Sequence, residues 1–181
     1  MSVDIGLLVL RVTLGFILFA HATQKALGWF HGPGIEKSAA IFQGLGQHPG
    51  RQMAVIAVLC ELLAAVLLAA GIATPFGVAV GASTMLVAAV ATNLKAQARW
   101  NSAGGGEYPL VLALVLATLG FTGPGSLSVD AALGLPSSDA DVRVGIAVVV
   151  VALAAASVPI ARTARAVRPC RDSRWQPVGE G

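Results

Sequence analysis

The chain has 181 residues, about the size of one domain, and is 56% apolar with only 12% charged residues and a mean hydropathy of +0.78. Ordinary globular proteins carry roughly 25% charged residues, so a water-exposed surface cannot be built from this composition, and lipid is the solvent for most of the chain. The net charge of +3 comes without a gathered basic domain and with only 6% aromatic residues to stack on bases, which excludes nucleic acid as a partner.

The first apolar segment, residues 5–27, is long enough to cross a hydrocarbon core, which takes about 20 residues. It contains "FAHAT", an Ala-x-Ala cleavage pattern, but no Lys or Arg precedes the apolar run and Arg11 interrupts it, so it reads as a retained span. At about 100° per residue, Arg11, Leu14, Gly15, Leu18, His21, Ala22 and Lys25 fall within roughly a 120° arc. Three basic residues thus share a face with small ones that permit close helix approach, and that face is expected to point at protein rather than lipid.

Residues 35–48, "IEKSAAIFQGLGQH", repeat Ile35, Ala39, Phe42 and Leu45 at helical spacing, predicting a short helix at the interface. Spans are expected at 53–73 and 76–94, joined by the tight "GIATP" turn into an antiparallel hairpin. The first of these carries Glu61 near its middle. A bare charge there is costly, so a partner is expected, with Arg11 or His21 the candidates. A carboxylate–imidazole pair of that kind can move protons or hydrogen-bond a quinone carbonyl. Its neighbour Cys60 faces about 100° away and reads as a small buried hydrophobe.

The glycine-rich "NSAGGGEYP", residues 101–109, cannot be regular helix. Glu107 just before Pro109 suits a first helical turn, and a loop dipping towards the bundle would carry Trp100, Asn101 and Glu107 to the His21/Lys25 end. A shorter apolar run, 108–121, and a full one, 142–160, complete five spans. The alternation that a closed barrel needs is absent from "VLALVLATLG". With five spans, loops 25–52 and 95–107 and the residues after 161 share one side and hold ten of the 12 Lys and Arg; the other side holds Arg143 alone. That asymmetry predicts a plasma-membrane protein with its N-terminus outside and its C-terminus cytoplasmic. Residues 162–181 read as a basic cytoplasmic tail attracted to anionic head groups, with Cys170 among arginines, a setting that favours thiolate.

Cys60 and Cys170 form no CxxC pattern, and the chain has no GxGxxG, no P-loop and no His-Glu-x-x-His. A bis-histidine haem needs two facing intramembrane histidines, and only His21 lies in a span. No haem, flavin or metal motif is present.

The segments "LRVTLGFILFAHATQKALGWF", "LCELLAAVLLAAGIATP" and "GGGEYPLVLALVLATLGFTGPGSLSVD" together resemble the DoxX family of small membrane proteins over roughly residues 7–134. The resemblance implies an all-α integral membrane protein, with a DoxX-like four-helix transmembrane bundle (5–134) and a fifth transmembrane helix (135–161) as an addition before the tail. It also implies a membrane subunit of a redox system, quinone-linked and associated with protein partners, with functional positions at Arg11, His21, Lys25, Glu61 and Glu107. In that reading His21, Lys25, Glu61 and Glu107 are candidate catalytic residues, and Arg11, His21, Lys25 and Trp100 contact the cofactor. Two other functions suit the same features: a membrane scaffold recruiting redox or stress proteins through loop 25–52 or the tail, and a small-solute or proton transporter. Self-association into a homo-oligomer is compatible with each.

Overall fold

The computed structural model describes residues 1–135 and 141–167. Seven α-helices run in the order α1 (Ser2–Leu27), α2 (Gly34–Gly44), α3 (Gly50–Ala70), α4 (Thr74–Ala96), α5 (Glu107–Thr122), α6 (Val129–Ala132) and α7 (Val142–Ala166). The protein is all-α, and among the described residues α1, α3, α4 and α7 are long and apolar enough to cross a membrane. All five predicted spans are helices. Each of the four long ones extends beyond its apolar run at one or both ends, because polar residues such as Arg51, Lys95 and Arg162 continue a helix without being hydrocarbon-like. The expected tail is shortened for the same reason: residues 162–166 are the last helical turn of α7, and the remainder of the tail, with Cys170, lies outside the described residues.

One core serves the whole bundle. Leu14 and Leu18 of α1, Leu68 of α3, Met85 of α4 and Leu116 of α5 pack together with Val148 and Ala152 of α7. The last helix therefore shares the interior of the four preceding ones and forms one of its walls. Lipid gives no hydrophobic drive for helix association, so close packing of small residues carries it. At the α1–α3 crossing a Cβ on Gly15 would lie 2.8 Å from the Ala65 carbonyl oxygen and 3.2 Å from Ala69 Cβ, so the two backbones nearly touch. The arc expected to face protein does so: Arg11, Leu14, Gly15, Leu18 and Ala22 are buried, with His21 and Lys25 half-buried.

At 16 residues α5 spans about 24 Å, short of the roughly 30 Å hydrocarbon core. The glycine loop makes up the difference. It folds back along α4, so that Gly106 packs on Ala89, two turns before the end of α4, and donates its N–H to Asn93 Oδ1 at 2.7 Å. The helix thus starts within the bundle.

The opposite end is closed by a polar clasp. Asp130 of α6, fully buried, accepts from the backbone N–H groups of Ala73 (2.8 Å) and Thr74 (2.9 Å), the orphan donors at the start of α4. Its own N–H donates to the Gly71 carbonyl at 2.9 Å. Changing Asp130 to Ala leaves both donors, the Thr74 one buried, without acceptors and is expected to destabilise the protein by about 2 kcal/mol, read as a lowered thermal unfolding midpoint in detergent.

Candidate functional site

The basic face of α1 serves two separate places. Arg11 and Lys25 are 14 residues apart, about 21 Å along the axis. Arg11 is fully buried at the Asp130 end, where Nη1 donates to the Leu68 carbonyl at 3.2 Å and Nη2 to the Leu127 carbonyl. Asp130 offers it opposite charge through space. The guanidinium thus ties α1 to the last turn of α3 and to the loop before α6. The expected Arg11–Glu61 pairing does not form, because Glu61 lies two turns before Leu68 on α3.

The partner of Glu61 is Lys25. Its Nζ stands 2.7 Å from Oε1 and 2.8 Å from Oε2, with Glu61 only 2% and Lys25 22% exposed. Helical side chains point back towards the N-terminus of their helix, so the long stem of Lys25 climbs from the end of α1 to the middle of α3. Ser38 of α2, itself buried, donates to the Lys25 carbonyl at 3.3 Å and fastens the short helix beneath the pair. The short helix expected from the spacing of Ile35, Ala39, Phe42 and Leu45 is α2, with Leu45 just past its end, and all four residues are half-buried.

Next to the pair lies a cleft of about 400 Å³. It is lined by α3 (Ile56, Cys60, Glu61), α7 (Ala155, Pro159) and α4 (Ser83, Thr84, Ala88), and by Phe42 of α2 and Gln47 just after it. Gln47 is buried and its amide donates to the Pro159 carbonyl (2.7 Å) and to Thr163 Oγ1 (3.0 Å), bracing α7 against the segment after α2. An apolar cavity ending in a few convergent polar groups has the form of a small-molecule site, and its volume falls within the usual range of about 300–1,000 Å³.

The remaining predicted residues sit at its margin or away from it. The His21 ring packs on Tyr108 of α5, centroids 5.6 Å apart, instead of on Glu61. It stays one turn from Lys25, whose ammonium lies 3.5 Å from the His21 carbonyl oxygen. The glycine loop does approach this face of the bundle, but Glu107 Oε2 accepts from Asn101 N at 3.2 Å within its own loop. Trp100 is 67% exposed and lines nothing in the cleft. Sequence reasoning missed Gln47, Ser83, Thr84, Tyr108 and Pro159. A proline and two hydroxyls inside apolar spans were the available signals, and they carried no direction.

Among the described residues no group of three or more His, Cys, Asp or Glu is arranged to hold a metal ion. No curated protein and no solved structure matches the chain. The DoxX family model matches residues 6–94, which take in α1 to the last turn of α4 and so contain Arg11, His21, Lys25, Cys60 and Glu61. The match stops before the glycine loop, α5 and α7. Through that domain, with its basic first helix and buried acid on the third, the chain belongs to the DoxX family.

Proposed function

We propose that this protein is a plasma-membrane subunit of a quinone-linked redox system, with its N-terminus outside and its C-terminus cytoplasmic. The observation that carries the proposal is the cleft between α3 and α7, mostly apolar and lined by one buried acid–base pair. The residues fit a lipid-soluble ring carried on an apolar tail. Ile56 and Ala88 offer apolar contact to the ring and tail, and Phe42 and Leu45 add further apolar wall. A quinone, when bound, supplies a carrier of two electrons and two protons, and a protein partner in the complex exchanges the electrons.

This chain's own part is positional and protonic. Lys25 holds the Glu61 carboxylate in place by two short bonds and offsets part of the cost of a charge in a dry site. Glu61, at the cleft wall, is the group placed to take or give a proton at its carboxylate oxygens. His21 and Tyr108, beside Lys25 on the α5 side, extend the polar path towards the glycine loop. Loop 25–52 is occupied in closing the cleft: α2 packs on α3 and Gln47 binds α7, which favours this reading over a recruiting scaffold.

The test is equilibrium binding of a short-tailed ubiquinone to the purified protein in nanodiscs, wild type against Ala88→Phe. Filling the cleft without touching Lys25 or Glu61 is expected to weaken binding at least tenfold. Equal affinity in the two proteins would place any quinone site elsewhere.

A further inference from the structure

The geometry points to a cleft that holds the reduced, hydroxyl-bearing form of its ligand, a hydroquinone, more tightly than the oxidised dicarbonyl form. The inference rests on the quinone reading above and adds which redox state the site selects. An inventory of donors and acceptors carries it.

The N–H donors at the polar end are already committed. The three protons of Lys25 have three acceptors, Glu61 Oε1 at 2.7 Å, Oε2 at 2.8 Å and the His21 carbonyl at 3.5 Å. Both amide protons of Gln47 are taken, by the Pro159 carbonyl and Thr163 Oγ1. On α4, Ser83 Oγ donates to the Val80 carbonyl at 2.9 Å, and Thr84 Oγ1 lies 2.7 Å from the same oxygen and 3.0 Å from the Gly81 carbonyl. Each hydroxyl has one proton, so both are left facing the cleft as acceptors.

Acceptors remain in excess. Each Glu61 oxygen keeps a lone pair beyond the one facing Lys25, and among the described residues Gln47 Oε1 takes no hydrogen bond. Pro159 has no N–H, so the carbonyl of Ala155, four residues back in the cleft wall, has lost its helical donor. The protons still on offer are the weak one of the Cys60 thiol and those of Thr92 and Thr163, and these oxygens accept as readily as they donate. A ligand carbonyl would add one more acceptor where acceptors already outnumber free donors. A phenolic hydroxyl adds a donor to a cleft whose own free protons are those of one thiol and two threonine hydroxyls, and the Glu61 carboxylate held by Lys25 is its strongest acceptor.

A tenfold preference, about 1.4 kcal/mol, is the expected size, and it would raise the midpoint potential of the bound couple by about 30 mV relative to the free one. The experiment measures anaerobic binding of three ligands with the same decyl tail to the full-length protein in nanodiscs: the ubiquinone, its hydroquinone, and the dimethyl ether of that hydroquinone. The expected result is a hydroquinone at least tenfold tighter than both others, because the ether keeps shape and apolar area but has no donor. Binding of the quinone or the ether as tightly as the hydroquinone would overturn the inference and leave the quinone reading standing. If none of the three binds, the quinone reading itself falls. Two variants locate the acceptors without altering the acid–base pair. Ser83→Ala with Thr84→Val removes two of them, and Pro159→Ala restores a donor to the Ala155 carbonyl. Each is expected to reduce the preference to about threefold or less, and a preference unchanged in both would overturn the inventory on which the inference stands.

Discussion

Replacing Lys25 by Met is expected to destabilise the protein by about 3 kcal/mol and to abolish ligand binding in the cleft. The substitution keeps the length of the stem and removes only the ammonium that neutralises Glu61, a carboxylate 2% exposed at mid-span. Breaking a buried pair by deleting one member typically costs about 3–5 kcal/mol, since the survivor is left charged in a poor solvent. The lower end applies here because Lys25 retains some solvent access and Glu61 can escape the penalty by taking a proton. Replacing both members by apolar residues of similar volume is often neutral. The double variant Lys25→Met with Glu61→Met is therefore expected to recover most of the lost stability and none of the binding. Thermal unfolding in a fixed detergent, read beside equilibrium binding for both variants, separates the two roles. A double variant that binds as the wild type does would remove the pair from the site.

The second large effect lies at the other end of α1. Gly71 closes α3 in the left-handed region at φ 67°, and a methyl group there would overlap the Arg11 guanidinium and the Ser128 side chain. Gly71→Ala must displace Arg11 from the Leu68 and Leu127 carbonyls and strain the turn as well. Hydrogen bonds to charged groups contribute roughly 1.5–3 kcal/mol each and the left-handed backbone costs roughly 1–2 kcal/mol, so a loss of about 4 kcal/mol is expected. Arg11→Met, which strands the two carbonyls without straining the backbone, should cost about 3 kcal/mol. Neither change should alter affinity in the cleft by more than about twofold, because Arg11 is about 21 Å from Lys25 along the helix. A well-folded Arg11→Met protein that has lost binding would return Arg11 to the functional site.

These two experiments follow from one difference between what periodicity conveys and what packing conveys. The arc holding Arg11, Gly15, His21 and Lys25 was legible because a 3.6-residue repeat fixes the azimuth of every side chain on a helix. Burial of Arg11, Leu14, Gly15, Leu18 and Ala22 follows that arc. Azimuth does not say how far along a neighbouring helix a partner stands. Arg11 and His21 looked like natural partners for Glu61 because they lie deep in the span, whereas Lys25 looked like a charge at its end. The depth that mattered was that of the ammonium, carried inward by its stem to Glu61. Glu107 and Trp100 illustrate the same gap. The glycine loop does fold back along α4, yet it turns Tyr108 to His21 and leaves Trp100 outside.

Asp130 is the sharper case, since in the sequence it is one of several acids in an extramembrane loop. Its importance arises from the unsatisfied N–H groups at the start of α4, more than 50 residues away. Pro159 likewise reads only as a kink signal until Gln47 and Ala155 stand beside it.

What the amino-acid order determined by itself was immersion in lipid, five apolar helices, the hairpin of the second and third spans, and one helix face too basic for acyl chains. These are properties of composition and of short-range repeats, which need no knowledge of neighbours. The tertiary structure decided that the basic face is divided between a structural clasp and an acid–base pair, and that α7 walls a cleft. Which buried charge meets which depends on the axial offset between packed helices, and that offset is set by close contacts such as Gly15 on Ala65, which no single helix contains.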